Sequence, residues 1–420
     1  MNSFLIFLYT LFQLGIWNIS CILGIFLIYY LNIDNEKQVA NFINNLGIIP
    51  IKLAQWCAYF CKVHFGENVI TNSFQYLQCD CNVRPIKNIQ EKIKPFEDKI
   101  EFVEQTPISV ASIAQIFKGK LKTGEEIVIK VKHENLEKDI QLWKEILSNS
   151  FLNMFFGFFG VKDMIKLDME DFFKSLESQL DFNKEAENLQ YFYKHYSKNE
   201  LIDIPKYVAH DSNVLIMEYV PSENFKQIES NLSQEEQEYF LLLARILYQD
   251  NIFIKDVIHM DLHNGNWGIN RDKKTIVLYD FGWVLMDQSE FKKFFILAHL
   301  NKKKTLEYIL ERYNIVDEQN LLQTFIDSMD TNQKLDTLEG IHLTLSLFKD
   351  EFKLDNFMFC LLSFCVFTAS ISDNFEQFEN YVDNELKFLK EKQEFIPLCS
   401  LIQKLKEKDV QTQIDTFLST

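Results

Sequence analysis

The stretch His259-Met260-Asp261-Leu262-His263-Asn264-Gly265-Asn266 decides the reading of this chain, together with Asp280-Phe281-Gly282 downstream. Asp280 lies nineteen residues beyond Asp261 and follows the apolar run Thr275–Tyr279. An acid in a loop, a carboxamide five residues on, and a second acid after a short apolar strand form a set that chance explains poorly. One reading makes His259, Asp261 and His263 metal ligands, since alternate residues of an extended segment share a face. That reading leaves Gly265, Asn266 and the Asp-Phe-Gly without a purpose.

The rest of the chain bounds what these residues can belong to. It has 420 residues, 47% of them hydrophobic, and a formal net charge of −17. That is enough chain for a full hydrophobic core and two to three domains. With Asp+Glu at 60 against Lys+Arg at 43, no nucleic-acid partner is expected, because a phosphate backbone needs a basic face. Any phosphate must be held by a local site. The eight cysteines (21, 57, 61, 79, 81, 360, 365 and 399) form no framework and read as reduced structural thiols.

From Ser3 to Asn32 there is no ionisable acid or base. About 20 apolar residues cross a bilayer as a helix. Residues 1–33 are therefore expected to anchor the chain in a membrane, as one tilted span or as a re-entrant pair broken at Asn18–Ser20. Residues 34–104 read as a helical extension. Residues 105–136 carry β-branched runs interrupted by Lys122-Thr123-Gly124, which predicts two strands and a hairpin, with Ile127–Val131 in the second strand. Helix is expected from 139 to 198, and the apolar stretch 151–161 reads as core packing. Two strands follow at 202–210 and 213–220. From 233 onward the chain reads as helical, with an island of loop and short strands at 256–286. A β-rich part over 105–220 and a helical part over 221–420 give an α+β, two-lobed architecture.

Protein kinases place H-R-D-L-x-x-x-N and then D-F-G at this spacing. On that pattern Asp261 sits where a hydroxyl loses its proton, and Asn266 and Asp280 hold Mg2+ at the ATP phosphates. Ile127-Val128-Ile129-Lys130 fits the kinase strand whose lysine meets the α- and β-phosphates and pairs with a helix glutamate. A lysine ending an apolar strand is costly to bury alone. Glu185 is the candidate partner, 55 residues downstream. Leu215–Val220 fits the strand and linker between lobes, with Met217, Glu218 and Val220 beside adenine. No glycine-rich loop precedes Lys130. Pro107–Gln115 stands there instead, with Ala111 and Ser112 near the nucleotide, and its Ala and Ser residues stiffen the backbone relative to glycine. No A-P-E follows the D-F-G.

Pro107-Ile108-Ser109-Val110-Ala111-Ser112-Ile113-Ala114-Gln115 resembles the Ala-rich loop of the UbiB-like, aarF-domain atypical kinases. Lys52-Leu53-Ala54-Gln55 is similar to their K-x-G-Q signature. Gln179-Leu180-Asp181 and Glu185-Ala186-Glu187-Asn188 are similar to their E-x-D and E-A-x-N motifs. The resemblance covers residues 45 to 290. It implies a protein-kinase-like fold with an N-terminal helical extension, and a gating group of Lys52, Gln55, Gln179 and Asp181 in the active site. It also implies ATP and Mg2+ as cofactors, ATPase or phosphotransfer activity, and a role at membranes in ubiquinone or lipid metabolism. The partners so implied are membrane lipid and quinone-biosynthesis proteins or a quinone-like lipid. Ala54 stands for the Gly of K-x-G-Q, and Gln179 for the Glu of E-x-D. Two other classes remain open on the residues: a membrane-tethered pseudokinase that binds lipid or a partner complex, and a small-molecule kinase, since H-x-D-L-H-x-G-N also resembles aminoglycoside and choline kinases.

Overall fold

The computed structural model describes residues 35–52, 54–55, 69–77, 86, 89–147, 169–263, 265–286, 289–300, 302–317, 341, 344, 355–371 and 385–407. The expected anchor at 1–33, the cysteines at 21, 57, 61, 79 and 81, and the apolar stretch 151–161 lie outside them. Among the described residues no helix is long and apolar enough to cross a membrane. The chain forms two compact units, Met1–Lys194 with Ile204–Pro221, and His195–Asp203 with Ser222–Thr420.

The first unit opens with helices α1 (Glu36–Leu46), α2 (Val69–Tyr76) and α3 (Ile89–Ile93). Residues 48–52 and 54–55 are also helical. Ile51 and Ala54 pack with Val39, Ala40 and Ile43 of α1. Strands β1 (Ile100–Val103), β2 (Ser109–Val110), β3 (Ala114–Leu121) and β4 (Glu126–Lys132) follow. Helices α4 (Leu136–Leu147), α5 (Met169–Gln179) and α6 (Phe182–Tyr196) come next. Ile202–Asp203 (β5) belongs to the second unit, whereas β6 (Tyr207–His210) and β7 (Val214–Glu218) complete the first. The sheet order is β1-β3-β4-β7-β6, with β2 also on β3.

The expected hairpin is β3–β4, and Gly124 turns it with φ +98°, a backbone region that suits glycine. β4 is central and buried on both faces. Ile127, Ile129 and Val131 face a core with Ile89, Phe96, Phe117 and Ile216. Period-2 alternation turns Val128, Lys130 and Lys132 to the other side. There α4, α5 and α6 bury Leu136, Trp143, Leu176, Phe182 and Ala186 against Ala114 and Leu215.

Two expectations are corrected. The span 34–104 is not wholly helical, because β1 pairs with β3. A register shift between Ile100 and Phe102 places both Ile100 and Val103 inward and leaves Phe102 50% exposed, which erases the alternation that would mark a strand. The segment 202–210 is two strands in different units, because Pro205 has no N–H to continue a ladder. β5 instead runs parallel to a strand of the second unit.

That unit holds β8 (Glu223–Asn224), α7 (Phe225–Ile228) and α8 (Gln234–Phe253). Ser233 and Glu236 start α8 with a reciprocal capping box. The expected island contains β9 (Val257–His259), β10 (Trp267–Asn270), β11 (Thr275–Leu278) and β12 (Val284–Met286). Its sheets are β5-β11-β10-β8 and β12-β9. Helices α9 (Ser289–Leu300), α10 (Lys302–Arg312), α11 (Asn356–Ile371) and α12 (Ile396–Glu407) complete the unit.

Gly268 on β10 is the tight point of the four-stranded sheet. A Cβ there would lie 2.6 Å from the Glu223 carbonyl oxygen and would overlap the Tyr279 hydroxyl, which donates to Ser222 Oγ. Gly268→Ala should therefore lower stability by about 1–3 kcal/mol. Chemical denaturation checks it; an unchanged midpoint would show that β8 and Tyr279 can move aside.

Candidate functional site

The expected residues fall into two groups, one in each unit. In the first unit the Lys130 ammonium and the Glu185 carboxylate meet at 2.6 Å (Nζ to Oε1) and are 1% and 0% exposed. The register explains how. Lys130 is flanked by Ile116 on β3 and Leu215 on β7, so it stands at the centre of the sheet. Phe182, fully buried at the first turn of α6, sets that helix against the same face, with the Lys130 Nζ 5.7 Å from its ring centroid. Glu185 lies in that first turn and so points at the strand. The chain bridges the 55-residue separation with α4 and α5.

The Ala-rich segment is the tip between β2 and β3. The Ala111 N–H donates to the Ala114 carbonyl at 2.9 Å, and the His133 N–H to the Ile113 carbonyl at 2.9 Å. The His133 ring Nε2 contacts the Ala111 carbonyl at 3.1 Å and so acts as donor there. Ile113 is buried in the core. The tip is thus fastened to the end of β4, the stiffness its composition predicts. His133 carried no motif, so nothing in the sequence marked it.

In the linker, Met217 is buried and Glu218 is exposed. The Glu218 N–H donates to the Lys206 carbonyl (2.8 Å) and the Tyr219 N–H to the Glu126 carbonyl (3.0 Å). The ladder consumes both donors, so a base docking here would meet the Glu218 carbonyl and the backbone beyond Tyr219.

Of the gating residues, Lys52 is buried at 6% exposure. Gln55 Nε2 donates to the Leu77 carbonyl at 2.7 Å, inside the helical extension. Gln179 is 3% exposed, and its Nε2 has no hydrogen-bond partner among the described residues. Asp181 caps α6, accepting from the Asn183 N–H at 3.0 Å. Slight burial raises its carboxyl pKa, but bonds from Asn183 and Lys184 and the charge of Lys132 outweigh this and hold it below the usual range. Gln55 and Asp181 thus engage different neighbours.

In the second unit the histidine of the motif is the hub. His259 Nε2 donates to the Asp280 carbonyl at 2.7 Å, and the Asp261 N–H donates to His259 Nδ1 at 3.3 Å. Asn266 Nδ2 donates to the Asp261 carbonyl at 2.7 Å, a bond that does not use its Oδ1. Asp280 Oδ1 accepts from the Gly282 N–H at 2.8 Å, and this fixes the carboxylate. His263 Nε2 lies 3.6 Å from Asp261 Oδ1, while its Nδ1 accepts from the Gly265 N–H at 2.9 Å. Helix α11 backs the loop: Ser363 Oγ donates to the His259 carbonyl at 3.4 Å, and Cys360 Sγ sits 3.7 Å from Met260 Sδ. The motif itself gave no sign of these supports.

This geometry removes the reading of His259, Asp261 and His263 as a metal centre. Both ring nitrogens of His259 are used by backbone. Among the described residues no three His, Cys, Asp or Glu side chains are placed to hold a metal ion. The oxygens of Asn266 and Asp280 are hard donors of the kind that bind Mg2+ with one or two protein ligands plus phosphate and water, so the residues present fit that ion.

Removing one partner of the buried pair leaves an uncompensated charge, and Glu185→Ala should cost about 3–5 kcal/mol. Lys130→Met/Glu185→Leu should recover much of that loss, because the pair is replaced by apolar packing. Urea unfolding of both variants checks this; a double variant no more stable than Glu185→Ala would count against it. Burial lowers the pKa of His259 below the ordinary value for histidine. Its ring should therefore read as neutral and Nε2-protonated by 15N NMR at pH 6.5, where an exposed histidine is about half protonated. Since folding disfavours its proton, the stability linked to this group is complete above about pH 6.5 and falls as pH drops below it.

A profile of the ABC1 atypical kinase-like domain matches residues 80–305. The chain is similar to the putative ABC transporter A445L of Paramecium bursaria Chlorella virus 1, at 28% identity over 60% of this chain and 52% of that protein. It is also similar to the ABC1 family protein MCP2 of Saccharomyces cerevisiae (28%, over 65% and 52%) and to AarF domain-containing kinase 1 of Drosophila melanogaster (27%, over 50% and 42%). The matches span about half the length of these relatives. The profile covers more than half of the chain and takes in Lys130, Glu185, Asp261, Asn266 and Asp280, and the chain belongs to the ABC1 atypical kinase-like domain family.

Proposed function

We propose that this chain binds Mg-ATP and uses it for phosphoryl transfer or hydrolysis. Lys130, held by Glu185, would neutralise the α- and β-phosphates. Ala111 and Ser112 would cover them with backbone, and Met217, Glu218 and Val220 would flank adenine. Asn266 and Asp280 would hold Mg2+, which supplies charge neutralisation at the phosphates. Asp261 would orient the attacking hydroxyl or water. The observation that carries this reading is the buried Lys130–Glu185 pair. It is a costly feature for stability alone, which supports a binding role for it.

The same proposal puts the activity at a membrane, in quinone or lipid metabolism, with residues 1–33 as a single-pass or re-entrant anchor. The uncharged Ser3–Asn32 stretch and the resemblance to UbiB-like proteins support it. Membrane lipid and quinone-biosynthesis proteins or a quinone-like lipid are the partners it implies. A second reading, a tethered pseudokinase scaffold, is favoured by the fastening of the Ala-rich tip to His133, which limits how that loop can follow a transferring phosphate.

Thermal unfolding of the full chain in detergent, with and without Mg-ATP, tests the first reading. Nucleotide at 100 times its dissociation constant should stabilise the wild type by about 2.7 kcal/mol, and Asp280→Asn should lose most of that gain. No stabilisation of the wild type, or equal stabilisation of the variant, would refute it. Stabilisation without turnover, together with full cellular function in Asp261→Asn, would favour the scaffold.

A further inference from the structure

Lys132 is a second buried lysine on β4, and no motif marked it. It lies two residues beyond Lys130 on β4, on the same face, and is 6% exposed. Its Nζ is 5.2 Å from the centroid of the Phe182 ring, the ring that Lys130 also faces. The ladder registers give β4 a direction. Ile127 pairs with Glu218 at the linker end, Lys130 with Ile116 and Leu215 in the middle, and Lys132 with Ala114 at the foot of the Ala-rich tip. With a strand rise of about 3.3 Å per residue, Lys132 stands roughly 7 Å beyond Lys130, away from the adenine end.

The two lysines differ in compensation. Lys130 has Glu185 at 2.6 Å, whereas the ion-pair partner of Lys132, Glu137 Oε1, is 3.8 Å away on a side chain 70% exposed. The other carboxylates acting on it are Asp181, at the start of α6, and Asp211, between β6 and β7. Burial outweighs all three and lowers its pKa from the ordinary lysine value. A buried ammonium has three donors and gains most from an anion that reaches hydrogen-bond distance.

We propose that Lys132 binds the terminal phosphate of the nucleotide whose inner phosphates Lys130 meets, and so makes the site prefer a nucleoside triphosphate to a diphosphate. The inference rests on the nucleotide-binding reading above and adds a specificity residue to it. Lys130 and Lys132 form a two-step ladder along one strand, with the fastened tip of Ala111–Ile113 closing its far end.

Calorimetric titration of the full chain with Mg-ATP and Mg-ADP tests it, in the wild type and in Lys132→Gln. The variant should lose about tenfold or more in ATP affinity, the worth of one charge-assisted hydrogen bond, while ADP affinity changes far less. Lys132→Met, which keeps the apolar stem, answers the same question if the Gln variant does not fold. Equal losses for ATP and ADP, or no loss for either, would overturn the role of Lys132 and leave the nucleotide site standing. A wild type that binds neither nucleotide would overturn both.

Discussion

Two opposite charges buried in contact are the constraint around which the first unit is built. Desolvating an ammonium and a carboxylate costs several kcal/mol each, and only tight geometry repays it. Lys130 therefore occupies the middle of the central strand, where β3 and β7 fix its position. Glu185 occupies the first turn of a helix that Phe182, Ala186 and Leu189 hold in the core. A pair fixed by packing on both sides has little room to open. The first turn of α6 already holds the glutamate against the lysine.

The second unit solves a related problem with a neutral group. An imidazole buried between two loops accepts one backbone hydrogen and donates another, and so ties the segment before Asp261 to the carbonyl of Asp280. The antiparallel pairing of His259 with Val284 and the bond from the Met260 N–H to the Trp283 carbonyl add a second tie. Ser363 and Cys360 press the loop from behind. The Asp261 and Asp280 segments thus hang from a frame made of main chain.

Much of this was legible in the residues. The β3–β4 hairpin follows from β-branched runs interrupted by Lys122-Thr123-Gly124, and the island at 256–286 from loop and short-strand signals within a helical stretch. The need for a partner at Lys130 followed from the cost of burying it. What escaped depends on register. β1 was hidden by its bulge, since a two-residue period over four residues does not survive one shift. The break at Pro205 is marked in the residues only by a missing donor. Lys132 and His133 belong to no pattern, because their roles arise only when β4 lies beside α6 and the Ala-rich tip. Gln55, expected in a gating group with Lys52, Gln179 and Asp181, donates to the Leu77 carbonyl, a contact with no pattern in the residues.

The interleaving of the two units has a consequence for synthesis. β4 needs β7 to complete its ladder, and β7 leaves the ribosome only after α4, α5, α6 and the β5 strand of the other unit have emerged. Until then one edge of the central strand of the sheet stands open, a template for pairing with a second nascent chain. The helices translated in the interval would have to shield that edge, or a chaperone would have to stay on it until Val214–Glu218 arrives.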